Sequence, residues 1–287
     1  MISAKWWRRN DDNSLSCFLC FRGCKIADGH CGACGVRFNE KGALISPYLG
    51  KFCACAVDPV EKKPLYHWRP DTLIYSLGSI GCTMNCPFCQ NYRIARPKKT
   101  LPLTHEITAY ELARNVRDLS LDSVAFTYNE PTLQAEYICS CAPVLKDNGI
   151  AVVLVTNGAM SSEAASEIIS CMGNDGAANI DIKAFNDKAY RMLDGSLGTV
   201  KSNIQSFVHA GIHTELTHLV VPGINDNVDS FAEMVEWIAA VSRDIPLHIT
   251  RYFPARNYHE PPTNTELLYF MASIAKGKLR FVHIGNV

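Results

Sequence analysis

The chain has 287 residues, enough for one large α/β domain with a small appendage. Its 28 basic and 28 acidic side chains cancel, so overall charge gives no reason to expect a nucleic acid or an anionic membrane as partner. No apolar run approaches the roughly 20 residues that span a bilayer, and no apolar stretch of a secretory signal follows Lys5, Arg8 and Arg9, so a cytoplasmic setting is expected.

Thirteen cysteines, an odd number, fit metal binding in a reducing compartment better than a disulfide framework. After an aperiodic stretch over 1–16, five of them fall between 17 and 34, among glycines that make the backbone turn-rich. Two readings stay open. Cys17-x-x-Cys20 with Cys31-x-x-Cys34 suits tetrahedral zinc, whereas Cys17, Cys20, Cys24 and Cys34 suit a fully ligated auxiliary iron–sulfur cluster. Cys53 and Cys55, on a short expected strand, can complete or replace ligands in either set. Pro59, Pro64 and Pro70 mark a connector, which divides the chain into a cysteine-rich module (1–70) and a larger unit (71–287).

From residue 72 short β-rich runs alternate with amphipathic stretches. Strands are expected at Leu73–Leu77, Ser123–Thr127, Ala151–Thr156, Asn179–Ile182, Glu215–Val221, Leu247–Tyr252 and Arg280–Ile284. Helices are expected near 108–119, 132–147, 161–172, 199–210, 228–241 and 264–276. Thr108-x-x-Glu111 and Thr263-x-x-Glu266 read as capping boxes. This alternation predicts a parallel sheet with helices outside, a partial or full β/α barrel. Ligands bind such folds at the C-terminal ends of the strands. Six polar groups fall at or beside those ends: the stretch after Leu77, Asn129-Glu130-Pro131, Thr156-Asn157-Gly158, Asp181 with Lys183, Pro222-Gly223 with Asn225, and His248 with Arg251.

The first of these groups organises the rest. Gly81-Cys82-Thr83-Met84-Asn85-Cys86-Pro87-Phe88-Cys89 offers three soft thiolates in one loop and no fourth at close spacing. A 4Fe–4S cluster held there keeps one iron open for a small ligand. The spacing of Cys82, Cys86 and Cys89, with Phe88 before the last, resembles the signature of the radical S-adenosylmethionine (radical SAM) superfamily. The flanks Ser79-Ile80-Gly81-Cys82 and Cys89-Gln90-Asn91-Tyr92 resemble the branch related to pyruvate formate-lyase activating enzymes, and within it the radical SAM member of the AmmeMemoRadiSam system.

That resemblance implies a partial (β/α)6-type parallel barrel and two cofactors, a 4Fe–4S cluster and SAM. It implies that Asn129 and Glu130, or the backbone beside them, take the SAM amino group, and that Thr156 and Asn157 form the family's TNG-type turn. Lys183, after Asp181, is implied to face the SAM carboxylate, with His248 near the ribose and Phe88 near the adenine. Cys17, Cys20, Cys24 and Cys34 match the family's N-terminal cysteines. The expected activity is hydrogen abstraction from a protein, peptide or small molecule by a 5′-deoxyadenosyl radical. Alternatives are a glycyl-radical-enzyme activase and a non-catalytic iron–sulfur or zinc protein. Cys53, Cys55, Tyr128 and Tyr252 are open candidates for a hydrogen-transfer residue. Arg93, Arg96, Lys98 and Lys99 read either as a solvated loop or as a docking patch for a flavodoxin or ferredoxin.

Overall fold

Runs such as Ala151–Thr156, apolar at nearly every position, suit strands covered on both faces, and helices with one apolar stripe supply that cover. The computed structural model describes residues 3–96 and 103–287. Its main sheet comprises β1 (Ala54–Pro59), β2 (Leu73–Gly78), β3 (Ser123–Phe126), β4 (Ala151–Thr156), β5 (Ala177–Asp181), β6 (His213–Val220), β7 (Leu247–Arg251) and β8 (Val282–Gly285). The strands lie side by side in chain order. β2 to β8 are parallel, and β1 runs antiparallel along the edge of β2. Among the described residues β1 and β8 do not pair, so the sheet is an open, partial barrel.

Among the described residues six longer helices follow the strands: α1 (Ala109–Asp118), α2 (Ala135–Asp147), α3 (Ser162–Met172), α4 (Leu197–His209), α5 (Val228–Val241) and α6 (Thr265–Lys276), and one short helix, Tyr92–Ala95, lies between β2 and α1. Thr108 and Glu111 form the expected reciprocal cap of α1. The second expected capping box does not form. Asn264 caps α6 instead, and Thr263 is buried, accepting from Tyr252 N and donating to Val220 O. A short helix over Asp187–Met192, capped by Asn186, is too brief to leave a periodic signal in the sequence.

The N-terminal region carries a three-stranded antiparallel sheet (Trp7–Arg9, Leu15–Cys17, Cys24–Ile26) and a hairpin (Phe38–Glu40, Ala43–Ile45). It is pinned to α2 by a buried ion pair, Arg37 Nη1 to Glu136 Oε1 at 2.8 Å, with both side chains 1% exposed. The Lys5 amide donates to the same oxygen, and Arg37 donates to Lys5 O. Breaking such a pair strands a buried charge. Glu136→Ala is therefore expected to cost about 3–5 kcal/mol, read by chemical denaturation, with faster proteolysis inside residues 3–52.

β1 lies within the stretch that the sequence grouped with the cysteine-rich module, yet it belongs to the main sheet. Residues 60–68, which follow it, close the sheet from beneath. Val60, Leu65 and Trp68 form an apolar cluster with Ile74, Ala125, Ala151, Val153 and Ala177, most of them near the N-terminal ends of β2 to β5. Asn179 donates to Pro64 O at 2.8 Å.

Candidate active site

The loop from Ser79 to Cys89 leaves the C-terminal end of β2. Gly81 sits at φ +96°, where a Cβ would lie 2.8 Å from Val36 Cγ1, 2.9 Å from Leu133 Cδ1 and 3.0 Å from Cys34 O. Only glycine fits both the conformation and the space. Gly81→Ala is expected to destabilise by about 3 kcal/mol and to lower iron retention, as checked by a thermal melt and by metal analysis after reconstitution. Asn129 braces the same turn, accepting from Ser79 N and donating to Gly81 O, each at 2.9 Å. Further along, Asn157 Nδ2 donates to Thr83 Oγ1 at 2.9 Å and lies 3.6 Å from Cys82 Sγ. Asn85 N donates to Leu193 O at 3.0 Å.

Held this way, Cys82, Cys86 and Cys89 all line one cavity of about 560 Å³. Burial pushes the Cys82 thiol up to about 12 and the Cys86 thiol up to about 11. The opposite wall carries Asp181 and Lys183, paired at 2.9 Å. Burial works against the Lys183 charge, but Asp181 and the Cys86 sulfur more than offset it, leaving its pKa above the usual lysine range. Thr217 and Leu219 of β6 and Thr250 of β7 complete that side, and Lys63, Pro64 and Tyr66 line it from the connector. Phe88 packs edge-on to Tyr252 and Tyr258, at 6.4 Å from each.

Residues 77–238 match the radical SAM superfamily. The chain belongs to it. An uncharacterized protein of Methanocaldococcus jannaschii is 33% identical over 100% of this chain and 86% of its own length. The pyruvate formate-lyase-activating enzyme of Staphylococcus aureus is 22% identical over 63% of this chain and 74% of its own. Among solved structures, a radical SAM methyltransferase from Sphaerobacter thermophilus shares the fold at TM-score 0.56, with 16% identity over 76% of this chain and 67% of that one.

Radical SAM proteins use a 4Fe–4S cluster and SAM, and the donor set fits that pair. Three soft sulfurs face one cavity, and among the described residues no fourth cysteine and no histidine lines it. Nor are three His, Cys, Asp or Glu side chains gathered about one ion-sized point among the described residues. A cubane does not ask for that, since each iron takes its own thiolate.

Two expected SAM contacts in this radical SAM site have other partners. Glu130 is 1% exposed. Its Oε1 accepts from Thr132 N (3.0 Å), Thr132 Oγ1 (2.6 Å) and Thr156 Oγ1 (2.6 Å), and its Oε2 accepts from Asn157 N (2.9 Å). The carboxylate thus ties the end of β3 to the end of β4, and Thr156 is part of that tie rather than of the cavity lining. His248 is the second such residue. It lies near the start of β7, not at its C-terminal end, with Nε2 2.6 Å from Glu215 Oε2 and its ring 4.7 Å from that of Tyr66. Register puts Thr250, two residues on, at the cavity in its place.

Of the four candidates for hydrogen transfer, Tyr128 alone lines the cavity. Its hydroxyl donates to Asp58 Oδ2 at 2.7 Å, and Lys63 Nζ sits 4.7 Å from its ring centroid. Cys53 and Cys55 flank Ala54 at the β1 edge. The Cys53 thiol donates to Ser79 O at 3.3 Å, so it belongs with the main sheet rather than with the N-terminal cysteines. Those cysteines are closely set. Cys17 and Cys24 face each other across paired strands, Cys20 lies in the turn between them, and burial, with smaller contributions from the neighbouring Cys34, Cys17 and Cys24, pushes the Cys20 thiol up to about 12. Cys31 is exposed. Of the basic run after the loop, Arg93 is exposed, Arg96 is bonded back to the loop itself, and Lys98 and Lys99 lie outside the described residues. Among the described residues no helix is long and apolar enough to cross a membrane.

Proposed function

We propose that Cys82, Cys86 and Cys89 hold the 4Fe–4S cluster of a radical SAM enzyme that abstracts hydrogen from a carbon of its substrate. The observation that carries this is that one cavity at the strand ends is faced by three thiols and, among the described residues, no fourth. Bound and reduced, the cluster supplies the electron that splits SAM into methionine and a 5′-deoxyadenosyl radical. The chain's own task is to orient and to exclude. Lys183, kept cationic by Asp181, receives the SAM carboxylate. Backbone carbonyls over 127–130 take the ammonium, because the Glu130 carboxylate is already committed to Thr132, Thr156 and Asn157. Asn129 and Asn157 act by fixing the loop. Phe88 and the backbone edge at Leu219 border the adenine, while Tyr66 and Lys63 line the cavity away from the loop and limit access of water.

The substrate class we infer is a protein, peptide or small molecule. The relative named as a pyruvate formate-lyase-activating enzyme favours, as a second reading, a backbone glycine of a partner enzyme. A flavodoxin or ferredoxin in the cytoplasm is the inferred electron donor. Cys17, Cys20, Cys24 and Cys34 are inferred to hold an auxiliary iron–sulfur cluster. The position of Cys24 opposite Cys17, and the exposure of Cys31, favour this set over the paired zinc knuckle. The test is anaerobic reconstitution followed by dithionite and SAM, with 5′-deoxyadenosine measured. Formation of that product above a Cys82→Ala control is expected. Its absence would leave a non-catalytic iron–sulfur protein as the better account.

A further inference from the structure

Three arginines far apart in the chain converge on the cysteine loop. Arg22 Nε donates to Thr83 O at 2.9 Å, while its Nη2 donates to Asp194 O at 2.9 Å. Arg96 donates to Met84 O from Nε (3.0 Å) and Nη2 (2.6 Å), and its Nη1 reaches Ala33 O beside Cys34. Arg256 donates from Nη1 to Cys86 O at 2.7 Å and from Nη2 to Asn85 Oδ1 at 2.8 Å. No backbone N–H of a turn or loop is bonded to Thr83 O or Met84 O among the described residues, so the guanidinium groups satisfy carbonyls that the turn itself leaves open.

The three come from the N-terminal turn, the end of the short helix after the loop, and the segment after β7. Between them they border a second hollow of about 400 Å³, which among the described residues shares only Ala95 with the thiol cavity. Among the described residues neither Arg96 nor Arg256 has a carboxylate partner, whereas Arg22 has Asp194 at 3.5 Å. Arg256 also keeps a left-handed backbone, at φ +56°, which a side chain holds only where its surroundings fix it.

We propose that Arg22, Arg96 and Arg256 are positioning residues that grip the backbone of the cysteine loop and place fixed positive charge behind its thiolates. This rests on the reading that the loop holds the 4Fe–4S cluster. The physical reason is twofold. A loop carrying three ligands must keep its shape with or without metal, and charged hydrogen bonds to its carbonyls preserve that shape. A cluster ligated by thiolates is anionic, so cations nearby favour its reduced state and set its potential. Arg22 and the Arg96–Ala33 contact also make the N-terminal module part of the support of this loop.

The experiment uses the full chain, reconstituted anaerobically, as wild type, Arg96→Met, Arg96→Lys and Arg256→Met, with Cys82→Ala as the control for the loop's cluster. Three quantities are read: iron per chain, the rate at which a chelator bleaches the cluster, and its reduction potential followed by electron paramagnetic resonance. Both methionine variants are expected to bleach about tenfold faster, the factor for losing one charged hydrogen bond, and to show a more negative potential. Arg96→Lys is expected to restore the potential but not the bleaching rate, because an ammonium lacks the planar fork that joins Met84 O to Ala33 O. Wild-type bleaching and potential in both methionine variants at full iron content would overturn the proposal. Equal iron in wild type and Cys82→Ala would instead overturn the cluster assignment itself. Should Arg96→Met fail to fold, Arg256→Met carries the same measurements.

Discussion

Cys82→Ala, Cys86→Ala and Cys89→Ala are each expected to reduce 5′-deoxyadenosine formation to the background of a reaction without protein. The chain is also expected to keep whatever iron the N-terminal cysteines hold. All three sulfurs face the same cavity, and among the described residues no other cysteine lines it. Cys53 and Cys55 sit on the β1 edge, and Cys139, Cys141 and Cys171 lie in α2 and α3. Substitution at Cys17 or Cys20 is expected to remove the other share of iron. Metal analysis of the two sets of variants, together with the product assay, separates the two sites. Retention of SAM cleavage in any of the three loop variants would remove the basis for the proposed activity.

Glu215→Ala is expected to destabilise the fold by about 3–5 kcal/mol, lowering the melting temperature by about 10 °C in a chain of this size. The carboxylate is wholly buried. Each oxygen takes two donors: His67 N (2.8 Å) and His213 Nε2 (2.9 Å) at Oε1, and Tyr66 N (3.1 Å) and His248 Nε2 (2.6 Å) at Oε2. Burial raises its pKa, but the bonds to His213, His248, His67 and Tyr66 outweigh that and bring it from 4.5 to about 2. That drop corresponds to about 3 kcal/mol of stability. Because the folded pKa lies below the unfolded one, this stability is complete above about pH 4.5 and fades as pH falls towards 2. Urea unfolding across that interval should show the loss in wild type and a flatter profile in Glu215→Ala. The same substitution frees the backbone of Tyr66 and His67, so it should also loosen the cavity lining next to Tyr66.

Strands and helices were legible because burial on both faces leaves unbroken apolar runs, and helices leave periodic ones. The ends of β2, β3, β4 and β7 fall within a residue of expectation. β6 begins at His213 rather than Glu215, since a polar start hides a strand from any hydrophobic pattern. That small shift had consequences: Glu215 lies inside the strand and bonds to histidines, and His248, paired in register with Thr217, turns its ring to Glu215 rather than to the mouth. Depth along a strand is set by register against its neighbours, which one strand's sequence does not carry. The three thiols were visible through their spacing alone. The commitment of Glu130 to Thr132, Thr156 and Asn157 was not, because a carboxylate beside a proline looks the same whether it meets a ligand or its own fold. Arg22 and Arg256 gave no signal either, and Arg96 read only as part of a basic run, because the three are brought together only when the N-terminal turn, the cysteine loop and the segment after β7 fold against one another.

The connector at 60–68 has a wider consequence. Its backbone is bonded to Asn179 and Glu215, and its apolar side chains fill the space under four strands. A break near residue 70 would therefore not release two autonomous pieces. It would take away the foundation on which the later strands rest, and the energetics of folding must run through the join, with both regions gaining and losing order as a single cooperative transition.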